Sequence, residues 1–445
     1  MKRILALVLA LVMVLCLAAC GGGGTADVSS NDTPSAPPKG DISDLKLADI
    51  ELTDKTVTIM QQGELSDLQK NILSFAEQQY GLKVELISSG TGAEPMRKLV
   101  QLVSSGKAPD LFPFESYNYP LGVNEKLFQS ITPFVDWNDI KYAPYKDTCA
   151  KYNYYALAGS EPRYVVWYNK QLFENVGAKT PLYYLQNNEW TWEKMFELAK
   201  SMTAKKGDET TVYGYADASG GVFYSRLAAA GKDMVNVDAN GKFSSNLADP
   251  IFETIIGSFL DLTKNGYMYY QSNNYEMFKN GKIAMFNAGK WLSATYKMQD
   301  LVTNGTISFV PTPKDSKADK YYYMNNANGW VIPQNAKNPN GAKAWIECMY
   351  YYYYLKNNVE AYIQNDKNEQ IAESGWTDLE FTMEKFIEEE TEHVILQYQG
   401  VGGVDGWLSK VWEMNTLVID KQKPWATVRS EYEPILQAEI KKIQG

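Results

Sequence analysis

The sequence predicts an α/β fold built around a parallel β-sheet, on three observations. Short β-branched or apolar runs alternate with helical segments along the first third of the chain. The length of 445 residues predicts two or three compact units with ample core, at about 150 residues per domain. The apolar content of 45% is too high and too evenly spread for a disordered chain. Strand, helix and strand in this rhythm indicate parallel strands joined by helical crossovers.

The first elements follow this rhythm closely. Residues 56–60 form a β-branched run that predicts a strand. A helix is expected over residues 67–80, with Ser66 as its N-cap and Gly81 as its stop, because apolar residues recur there at helical spacing. Residues 83–87 then predict the next strand.

Later segments extend the same pattern, with proline or threonine at helix starts and glycine at helix ends. Strands are predicted at residues 110–114, 164–168, 308–310 and 330–332, and helices at 96–105, from the cap Thr191 to about 203, from Asp249-Pro250 to Gly266, and at 341–355. The tyrosine run at 350–354 lies on the last of these helices. Five consecutive helical residues face every direction, so the run is not one binding stripe.

The charge balance and the missing motifs exclude several functions. The net charge of −10 argues against nucleic-acid binding, which requires clustered Lys and Arg. No nucleophile elbow, zinc-protease His pair or phosphate-binding loop is present, and the sole histidine, His393, lies beside four glutamates on what looks like a solvated helix face. Paired carboxylates for glycoside hydrolysis remain possible among 53 acidic residues, although nothing marks one pair. We expect no cofactor and no metal site.

The amino-terminal segment is typical of a targeting signal. Lys2 and Arg3 precede an uncharged run over residues 4–19, which is short for a membrane-spanning helix. The run ends in Leu-Ala-Ala-Cys at Cys20, which resembles the lipobox of bacterial lipoproteins, where the cysteine is lipidated; an ordinary signal peptide is the alternative. The Gly-, Pro- and Ser-rich stretch that follows predicts a flexible linker.

The two cysteines of the folded part, Cys149 and Cys348, are 199 positions apart and show no metal-ligand spacing. Whether they form a disulfide or remain two buried thiols is open from the sequence.

Five segments occur in an order that resembles a known family, the sugar-binding lipoproteins of bacterial ABC importers, which are extracellular solute-binding proteins of the maltose-binding type. The segments are Gly-Lys-Ala-Pro-Asp-Leu at 106–111, Trp-Tyr-Asn-Lys-Gln-Leu-Phe at 167–173, Thr-Trp-Glu at 191–193, Phe-Lys-Asn-Gly-Lys-Ile-Ala-Met at 278–285 with Gly-Lys-Trp at 289–291, and Gly-Trp-Val-Ile-Pro at 329–333 with Lys-Asn-Pro at 337–339. Each segment is weak alone, but the ordered set spans nearly the whole chain.

The resemblance implies a periplasmic-binding-protein-like fold, with two α/β lobes, a hinge and a ligand cleft between them. It implies a signal peptide at 1–19, a lipidated cysteine and linker at 20–53, an N-terminal lobe of 54–162 plus 313–365, and a C-terminal lobe of 163–312 plus 366–445. The chain would cross between lobes near 161–164, 311–313 and 355–365, and ligand would favour the closed form.

Aromatic side chains are the first candidates for the ligand site, because sugars stack their C–H faces on flat rings. The chain has 31 Tyr, 16 Phe and 11 Trp. Trp291 stands where the family usually has a stacking tryptophan; a tryptophan of the lobe interface is the alternative. Trp407 follows the glycine-rich segment 400–406, and Trp330 begins a predicted strand. Phe223 and Tyr224 follow two glycines in a segment that faces the cleft in the related proteins.

Polar candidates follow from strand ends, because ligands of open α/β sheets bind beyond the carboxyl ends of the strands. These candidates are Gln62, Glu64, Glu115, Tyr117, Arg163 and Tyr164. Of these, Arg163 could bind a carboxylate of the ligand or pair with an acidic neighbour.

The sequence therefore predicts a non-catalytic, lipid-anchored, monomeric receptor outside the cytoplasm that delivers a carbohydrate, an oligosaccharide above all, to the transmembrane subunits of an importer. A receptor for peptides or another polar solute is the alternative on the same fold. A secreted glycoside-acting enzyme is the alternative from a different class.

Overall fold

The computed structural model describes residues 45–90, 94–115, 122, 125–150, 155–162, 164–218, 221–238, 242–395, 401, 407 and 409–444. All of these belong to the second of two units into which the chain divides, Pro38–Gly445. The predicted signal segment, Cys20 and residues 21–44 of the linker lie outside the described residues, as do Tyr117, Arg163 and residues 402–406. Within the described ranges no helix combines the length and the apolar character needed to cross a membrane.

Strands occur along the whole described chain. In chain order they are β1 (Thr56–Gln61), β2 (Lys83–Ser88), β3 (Phe112–Glu115), β4 (Phe128–Gln129), β5 (Ala156–Pro162), β6 (Val165–Asn169), β7 (Ala204–Lys206), β8 (Glu209–Asp217), β9 (Val235–Val237), β10 (Phe243–Ser245), β11 (Met268–Tyr269), β12 (Ile283–Ala288), β13 (Ile307–Pro311), β14 (Tyr322–Pro333) and β15 (Glu392–Ile395).

Helices alternate with these strands. In chain order they are α1 (Asp67–Tyr80), α2 (Glu94–Ser104), α3 (Lys146–Ala150), α4 (Lys170–Asn175), α5 (Pro181–Gln186), α6 (Trp192–Ser201), α7 (Gly221–Ala229), α8 (Ile251–Lys264), α9 (Asn274–Lys279), α10 (Leu292–Thr295), α11 (Gln299–Thr303), α12 (Pro339–Asn358), α13 (Glu360–Ser374), α14 (Asp378–Glu390), α15 (Ser409–Asn415) and α16 (Trp425–Gln444). Single 3₁₀ turns lie at Thr132–Phe134 and Ala143–Tyr145, and a π-helical turn at Thr416–Asp420.

Local signals place several helix ends as predicted. The Ser66 side chain accepts from the Gln69 amide while Gln69 bonds back to Ser66, and Gly81 ends α1 in the left-handed conformation at φ 68°. The Thr191 side chain likewise accepts from the Lys194 amide and starts α6. These caps satisfy main-chain groups that would otherwise have no partner.

Two large sheets contain most of the described strands, and β9 and β10 form a separate antiparallel pair. In the first sheet, β1 and β2 are parallel, Ile59 of β1 bridges Leu111 beside β3, and β14 pairs with β3, β4, β5 and β15. The second sheet has the order β11-β8-β12-β6-β13, with β7 at its side. In the second sheet β11, β8 and β12 run parallel, while β6 is antiparallel to both β12 and β13.

The buried side chains form three clusters, one centred on the second sheet and two on the first, and the cluster of the second sheet also takes in Tyr323 and Met324 of β14. Trp330, Trp345 and Tyr350 belong to the core of the first sheet, with α1 and α12. Trp167, Trp192 and Phe259 belong to the core of the second sheet. Every residue of β12 is buried, as expected for a strand covered on both faces. The tyrosine run illustrates the same burial on α12, where three consecutive tyrosines from Tyr350 to Tyr352 are at most 4% exposed.

Among the described residues the chain passes between the two sheets at three places before α14, and it then reaches β15 of the first sheet and returns to the core of the second sheet by Val401. It leaves β5 at Pro162 and enters β6 at Val165, and it leaves β13 at Pro311 and enters β14 at Tyr322. The third passage runs through α13, which is separated from α12 by the single extended residue Val359. Tyr362 of α13 packs in the core of the first sheet, and Gly375 at its end lies against the Gln299 carbonyl of α11.

The segment after Pro311 remains attached to the helices of the second sheet. The Lys314 amide donates to the Trp190 carbonyl at 3.1 Å, and Asp315 pairs with the buried Arg226 of α7. Burial acts to raise the pKa of Asp315, but the Arg226 guanidinium and the Lys317 amide outweigh it and hold that pKa below its usual value. The chain is therefore tied to the second sheet until shortly before β14.

Residues 45–53, which the sequence assigned to the linker, contact the core of the first sheet. The Ala48 amide donates to the buried carboxylate of Glu347 at 2.7 Å, and the Tyr80 hydroxyl donates to the Ala48 carbonyl at 2.6 Å. Glu347 also pairs with Lys141 at 3.2 Å. This buried pair holds the segment that leads into β1.

The structure corrects one element. The helix near His393 ends at Glu390, and residues 392–395 form β15, which pairs in parallel with β14 from Tyr322 to Asn325. The run of glutamates favours a helix locally, but pairing with a strand 70 positions earlier cannot be seen in a local pattern.

The structure has both Cys149 and Cys348 as buried thiols and not as a disulfide.

Candidate functional site

The ends of several strands meet at one edge of the second sheet. The register pairs Asp217, the last residue of β8, with Asn287 of β12, and it pairs Ala288 of β12 with Val165 at the start of β6. Two of the passages between the sheets, at 162–165 and 311–322, leave from this same edge. An edge where strand order and direction change is the usual position of a ligand site in an α/β protein.

Buried polar side chains gather at this edge around Asp217. Asp217 accepts hydrogen bonds from the Tyr215 hydroxyl at 2.8 Å and from the Asn287 amide at 3.3 Å. The Asn287 amide also bonds to Ser225 of α7 at 3.2 Å, and the Asn274 amide donates to the Asp217 carbonyl at 2.9 Å. We call Tyr215, Asp217, Ser225, Asn274 and Asn287 the Asp217 cluster.

Several oxygens at this edge still have acceptor capacity. The side-chain oxygens of Asn274 and Asn287 are buried and have no hydrogen-bond partner among the described residues. Asn415 of α15 is similar, because its amide donates to the Tyr270 hydroxyl at 2.6 Å while its oxygen has no such partner. Buried acceptors are normally satisfied, so donors such as water or ligand hydroxyls are expected here.

The charge of Asp217 reaches the surrounding phenols. Burial, followed by the Asp217 carboxylate, raises the pKa of Tyr270 to about 12 and raises the pKa of Tyr215 well above its usual value. The pKa of Tyr275 is also raised, by burial first and then by neighbouring Tyr296 and Tyr164, with a smaller contribution from Asp217. These tyrosines therefore stay protonated near neutral pH and can donate or accept hydrogen bonds.

Three aromatic side chains form a partly exposed group beside this cluster. The rings of Tyr275 and Tyr296 are stacked, with centroids 4.1 Å apart and planes inclined by 6°. The Trp291 ring lies 6.2 Å from Tyr275 and 6.3 Å from Tyr296, and the Trp291 residue is 46% exposed. We call these three residues the aromatic platform. An exposed flat ring beside buried polar groups suits a ligand with both hydroxyls and an apolar face.

Gly289 determines where the Trp291 ring can lie. A Cβ atom at residue 289 would be 2.0 Å from Nε1 of Trp291, so the indole folds back over the main chain of the glycine. The Gly289 carbonyl accepts from the Trp167 indole at 3.1 Å. The Gly-Lys-Trp segment thus forms a turn in which only glycine admits the observed ring position.

The carboxyl ends of β1 and β2 form the corresponding edge of the first sheet. Gln62 and Glu64 follow β1 and are exposed. A shallow concavity of about 390 Å³ lies beyond β2, lined by Ser88, Ser89, Gly90 and the first turns of α2. No group of three or more His, Cys, Asp or Glu side chains among the described residues is placed to hold a metal ion.

Of the ligand-binding residues predicted from the sequence, some lie at the candidate site and others are buried in the two cores. Trp291 is exposed in the aromatic platform. Tyr164 directly precedes β6 at the same edge, is 6% exposed and contributes to the raised pKa of Tyr275. Trp407 and Phe223 are completely buried in the core of the second sheet. Trp330 packs edge-on against Trp345 in the core of the first sheet, with ring centroids 5.7 Å apart. In this structure Trp407, Phe223 and Trp330 offer no accessible face to a ligand.

The remaining selected residues cannot be placed by side-chain contacts. Glu115 ends β3 opposite Asn328 of β14, and Tyr224 lies in α7, but their side chains are outside the description. Tyr117 and Arg163 lie outside the described residues altogether.

The sequence reasoning missed the Asp217 cluster and two of the three platform residues, Tyr275 and Tyr296. Residues 209–217 carry a signal that could have revealed part of the site, because Thr, Val and Tyr are strand-forming and the run ends in an acid. Applied to this run, the rule of strand ends would have selected Asp217.

Comparison with known proteins identifies the family. Residues 61–350, more than half of the chain, match the model of a family described as bacterial extracellular solute-binding protein. An uncharacterized ABC transporter extracellular-binding protein of Pyrococcus horikoshii is 25% identical over 281 residues, which are 60% of this chain and 59% of that protein. The chain thus matches less than two thirds of that relative's length.

Solved structures share the fold. The cyclo/maltodextrin-binding protein complexed with maltotetraose is 18% identical, with a TM-score of 0.61 over 88% of this chain and 97% of that chain. The extracellular solute-binding protein of Staphylococcus aureus in complex with maltose is 16% identical, with a TM-score of 0.63 over 89% and 100% of the two chains. The galacto-N-biose-/lacto-N-biose I-binding protein of Bifidobacterium longum, in complex with lacto-N-biose, is 16% identical, with a TM-score of 0.63 over 87% and 98%.

At these identities the likeness shows the fold, and it confirms the predicted α/β periplasmic-binding-protein-like class. The matching family is one of binding proteins. With the family model covering most of both sheets, this chain belongs to the bacterial extracellular solute-binding protein family.

Proposed function

We propose that this chain is the receptor of an ABC importer and that it captures a carbohydrate, above all an oligosaccharide, at the edge that carries the aromatic platform. The observation that carries this proposal is the half-exposed Trp291 beside the stacked Tyr275 and Tyr296 and the buried Asp217 cluster. A sugar needs both kinds of group, because its C–H face stacks on a ring while its hydroxyls exchange hydrogen bonds with polar side chains.

The ligands bound to the structural neighbours support the same class of solute. Maltotetraose, maltose and lacto-N-biose are all neutral oligosaccharides, each bound to a protein with the fold of this chain. The net charge of −10 also disfavours an anionic ligand as the first candidate. Delivery to the transmembrane subunits of the importer follows from the family and remains part of the proposal.

We propose that capture is a closure of two lobes, 54–162 plus 313–365 and 163–312 plus 366–445, over the ligand. The buried clusters of the two sheets are separate apart from Tyr323 and Met324 of β14, and the chain passes between the sheets through a few segments, which supports a hinge there. A ligand that contacts both facing edges stabilises the closed arrangement by its extra contacts in that state.

Calorimetry against a panel of solutes tests this proposal. We expect heat of binding with one or more of maltose, maltotetraose and lacto-N-biose, a weaker response to a monosaccharide such as galactose, and none with a short neutral peptide. Binding of the peptide alone would overturn the carbohydrate assignment in favour of a peptide receptor. Release of shorter sugars from maltotetraose during incubation would instead indicate a glycoside-acting enzyme.

We propose that Cys20 carries a lipid that anchors the chain to the outer side of the cell membrane. The support is the lipobox-like sequence before Cys20 together with the Gly-, Pro- and Ser-rich segment after it. The first described residues, from Leu45, are held by main-chain bonds to the core of the first sheet, so such a tether would join a fixed point.

A substitution at Cys20 tests the anchor. We expect Cys20→Ser to move the protein from the membrane fraction to the soluble fraction of cells that express the full chain, because serine has no thiol to which the anchoring lipid could be attached. The matched control is Cys16→Ser within the same apolar segment, which should leave the distribution unchanged. Membrane attachment that persists in Cys20→Ser would contradict the proposal.

A further inference from the structure

Lys290 lies between Gly289 and Trp291 in the turn that positions the Trp291 ring. Its side chain extends away from the aromatic platform and toward α14. The Lys290 ammonium forms an ion pair with Glu384 of α14. It also lies 5.8 Å from the ring centroid of Trp376, at a distance typical of a cation–π contact. The side chains of Lys290 and Glu384 are 21% and 24% exposed, so solvent screens this pair less than it screens a surface pair.

The helix that presents Glu384 is firmly held. The Thr377 side chain and Glu380 form a capping box at the start of α14, and Ser308 of β13 donates to Glu380 at 2.5 Å. Trp376, directly before the cap, packs 5.5 Å from Phe309 of the same strand. Glu384 therefore offers Lys290 a fixed partner on the body of the second sheet.

The turn at residues 289–291 links the backbone at Lys290 to the orientation of the Trp291 ring. The Trp291 indole folds back over the main chain of Gly289, so the direction of the ring depends on the backbone of 289–291. The Gly289 carbonyl accepts from the Trp167 indole and from the Leu292 amide, and the Trp291 carbonyl accepts from the Thr295 amide at 3.0 Å, so the main chain is bonded at both ends of the turn but not at Lys290 between them. Lys290 is the residue of the turn whose side chain is anchored outside it.

We propose that Lys290, through its ion pair with Glu384, is a positioning residue that fixes the orientation of the Trp291 ring for ligand. This inference rests on the proposed function in so far as Trp291 contacts the ligand. Its structural part, that the pair fixes the ring, stands independently of any ligand. The competing explanation is that the Tyr275–Tyr296 stack alone holds the ring.

Spectroscopy of Trp291 separates the two explanations without a ligand. The Trp291 contribution to near-ultraviolet circular dichroism and to acrylamide quenching is obtained as the difference between each protein and its Trp291→Phe counterpart. We compare the wild type with Lys290→Met, which keeps an apolar side chain over Trp376, and with Glu384→Gln. Lys290→Arg keeps the cation and is the conservative variant.

Two further effects need controls: the loss of a negative charge from α14, and the pairing of Lys290 with another glutamate when Glu384 is neutralised. Glu389→Gln makes the same charge change on α14, but Glu389 pairs with Lys385 on the helix surface and not with Lys290. Glu388 lies one turn beyond Glu384 and could receive Lys290 when Glu384 is neutralised, which is why Lys290→Met is the decisive variant. Retained far-ultraviolet dichroism identifies variants that fold.

We expect Lys290→Met to lose the Trp291 dichroism band and to increase its quenching. Glu384→Gln should change both signals in the same direction by a smaller amount, because Glu388 can take over part of the pairing, while Lys290→Arg and Glu389→Gln should match the wild type. Affinity for maltotetraose, used as the probe, should fall about threefold to fivefold in Lys290→Met, the scale of a partly exposed ion pair. An unchanged Trp291 signal in a folded Lys290→Met would overturn the positioning role. If the wild type shows the Trp291 signal but does not bind maltotetraose, the result counts against the proposed sugar. The role of Lys290 in positioning the ring is then decided by the spectra alone.

Discussion

Gly214→Ala should lower the free energy of unfolding by about 3 kcal/mol or more, the upper end of the cost of overpacking a core. Gly214 lies in β8 where α6 passes directly over the strand. A Cβ atom there would be 1.7 Å from the Ala199 carbonyl oxygen and 2.4 Å from its carbon. Both obstructing atoms belong to the main chain of a helix, so no side-chain rotation relieves the clash.

A shift of α6 would also break a hydrogen bond of Gly214. The Gly214 amide donates to the Tyr267 carbonyl, directly before β11, at 3.0 Å and to the Thr203 hydroxyl, just beyond the end of α6, at 3.1 Å. Moving the helix far enough to admit a methyl group would separate β8 from Thr203, and moving β8 instead would disturb its bond to Tyr267. Because β8 ends in Asp217, the disturbance should also reach the candidate site.

The measurement is equilibrium unfolding in urea, with Gly257→Ala as the matched control. Gly257 lies on α8, where a Cβ atom would meet nothing within 4 Å. Alanine is the better helix former, so Gly257→Ala should stabilise the protein by about 0.5–1 kcal/mol. The same substitution is thus expected to act with opposite sign at the two sites. A Gly214→Ala protein as stable as the wild type would show that α6 and β8 do not pack as described.

The sequence predicted elements well where local chemistry determines them. The bounds of α1 follow from Ser66 and Gly81 alone, because a cap and a left-handed glycine act within a few residues. Element type failed at His393, where the local pattern is helical and a partner strand decides the outcome. The full length of β14 was missed for the same reason, since its first residues pair with β15 and its later ones with β5 and β3.

Whether a given side chain faces the site is harder to predict from the sequence than where a helix begins or ends. Trp291 lies in an exposed position at a strand edge, and the Gly-Lys-Trp segment pointed to it. Trp330 and Trp407 satisfied the same rule of strand or loop ends, yet both rings are buried. Whether a tryptophan near a strand end turns inward or outward depends on the helix that packs there, such as α12 with Trp345 against Trp330. That helix begins only six residues after β14 ends, but the way it packs across the strand cannot be read from the residues around Trp330.

Trp291→Ala should weaken binding of an oligosaccharide by about 1–3 kcal/mol, the range for removing a large apolar contact, which corresponds to roughly fivefold to more than a hundredfold in the dissociation constant. The effect on folding should be smaller, because the residue is already 46% exposed and its removal leaves no closed cavity. Trp291→Ala is therefore expected to weaken ligand binding by more than it lowers the free energy of unfolding.

Trp412→Ala provides the matched control for this separation. Trp412 lies on α15, outside the aromatic platform, and is also 46% exposed. Both substitutions remove the same ring from equally exposed positions, so a general effect of losing a surface tryptophan should appear in both. Calorimetry with maltotetraose should show a loss only for Trp291→Ala. Equal affinity in the two variants would remove Trp291 from the site. A loss confined to Trp291→Ala would show that the platform contributes through its place beside the Asp217 cluster and not through exposed aromatic area as such.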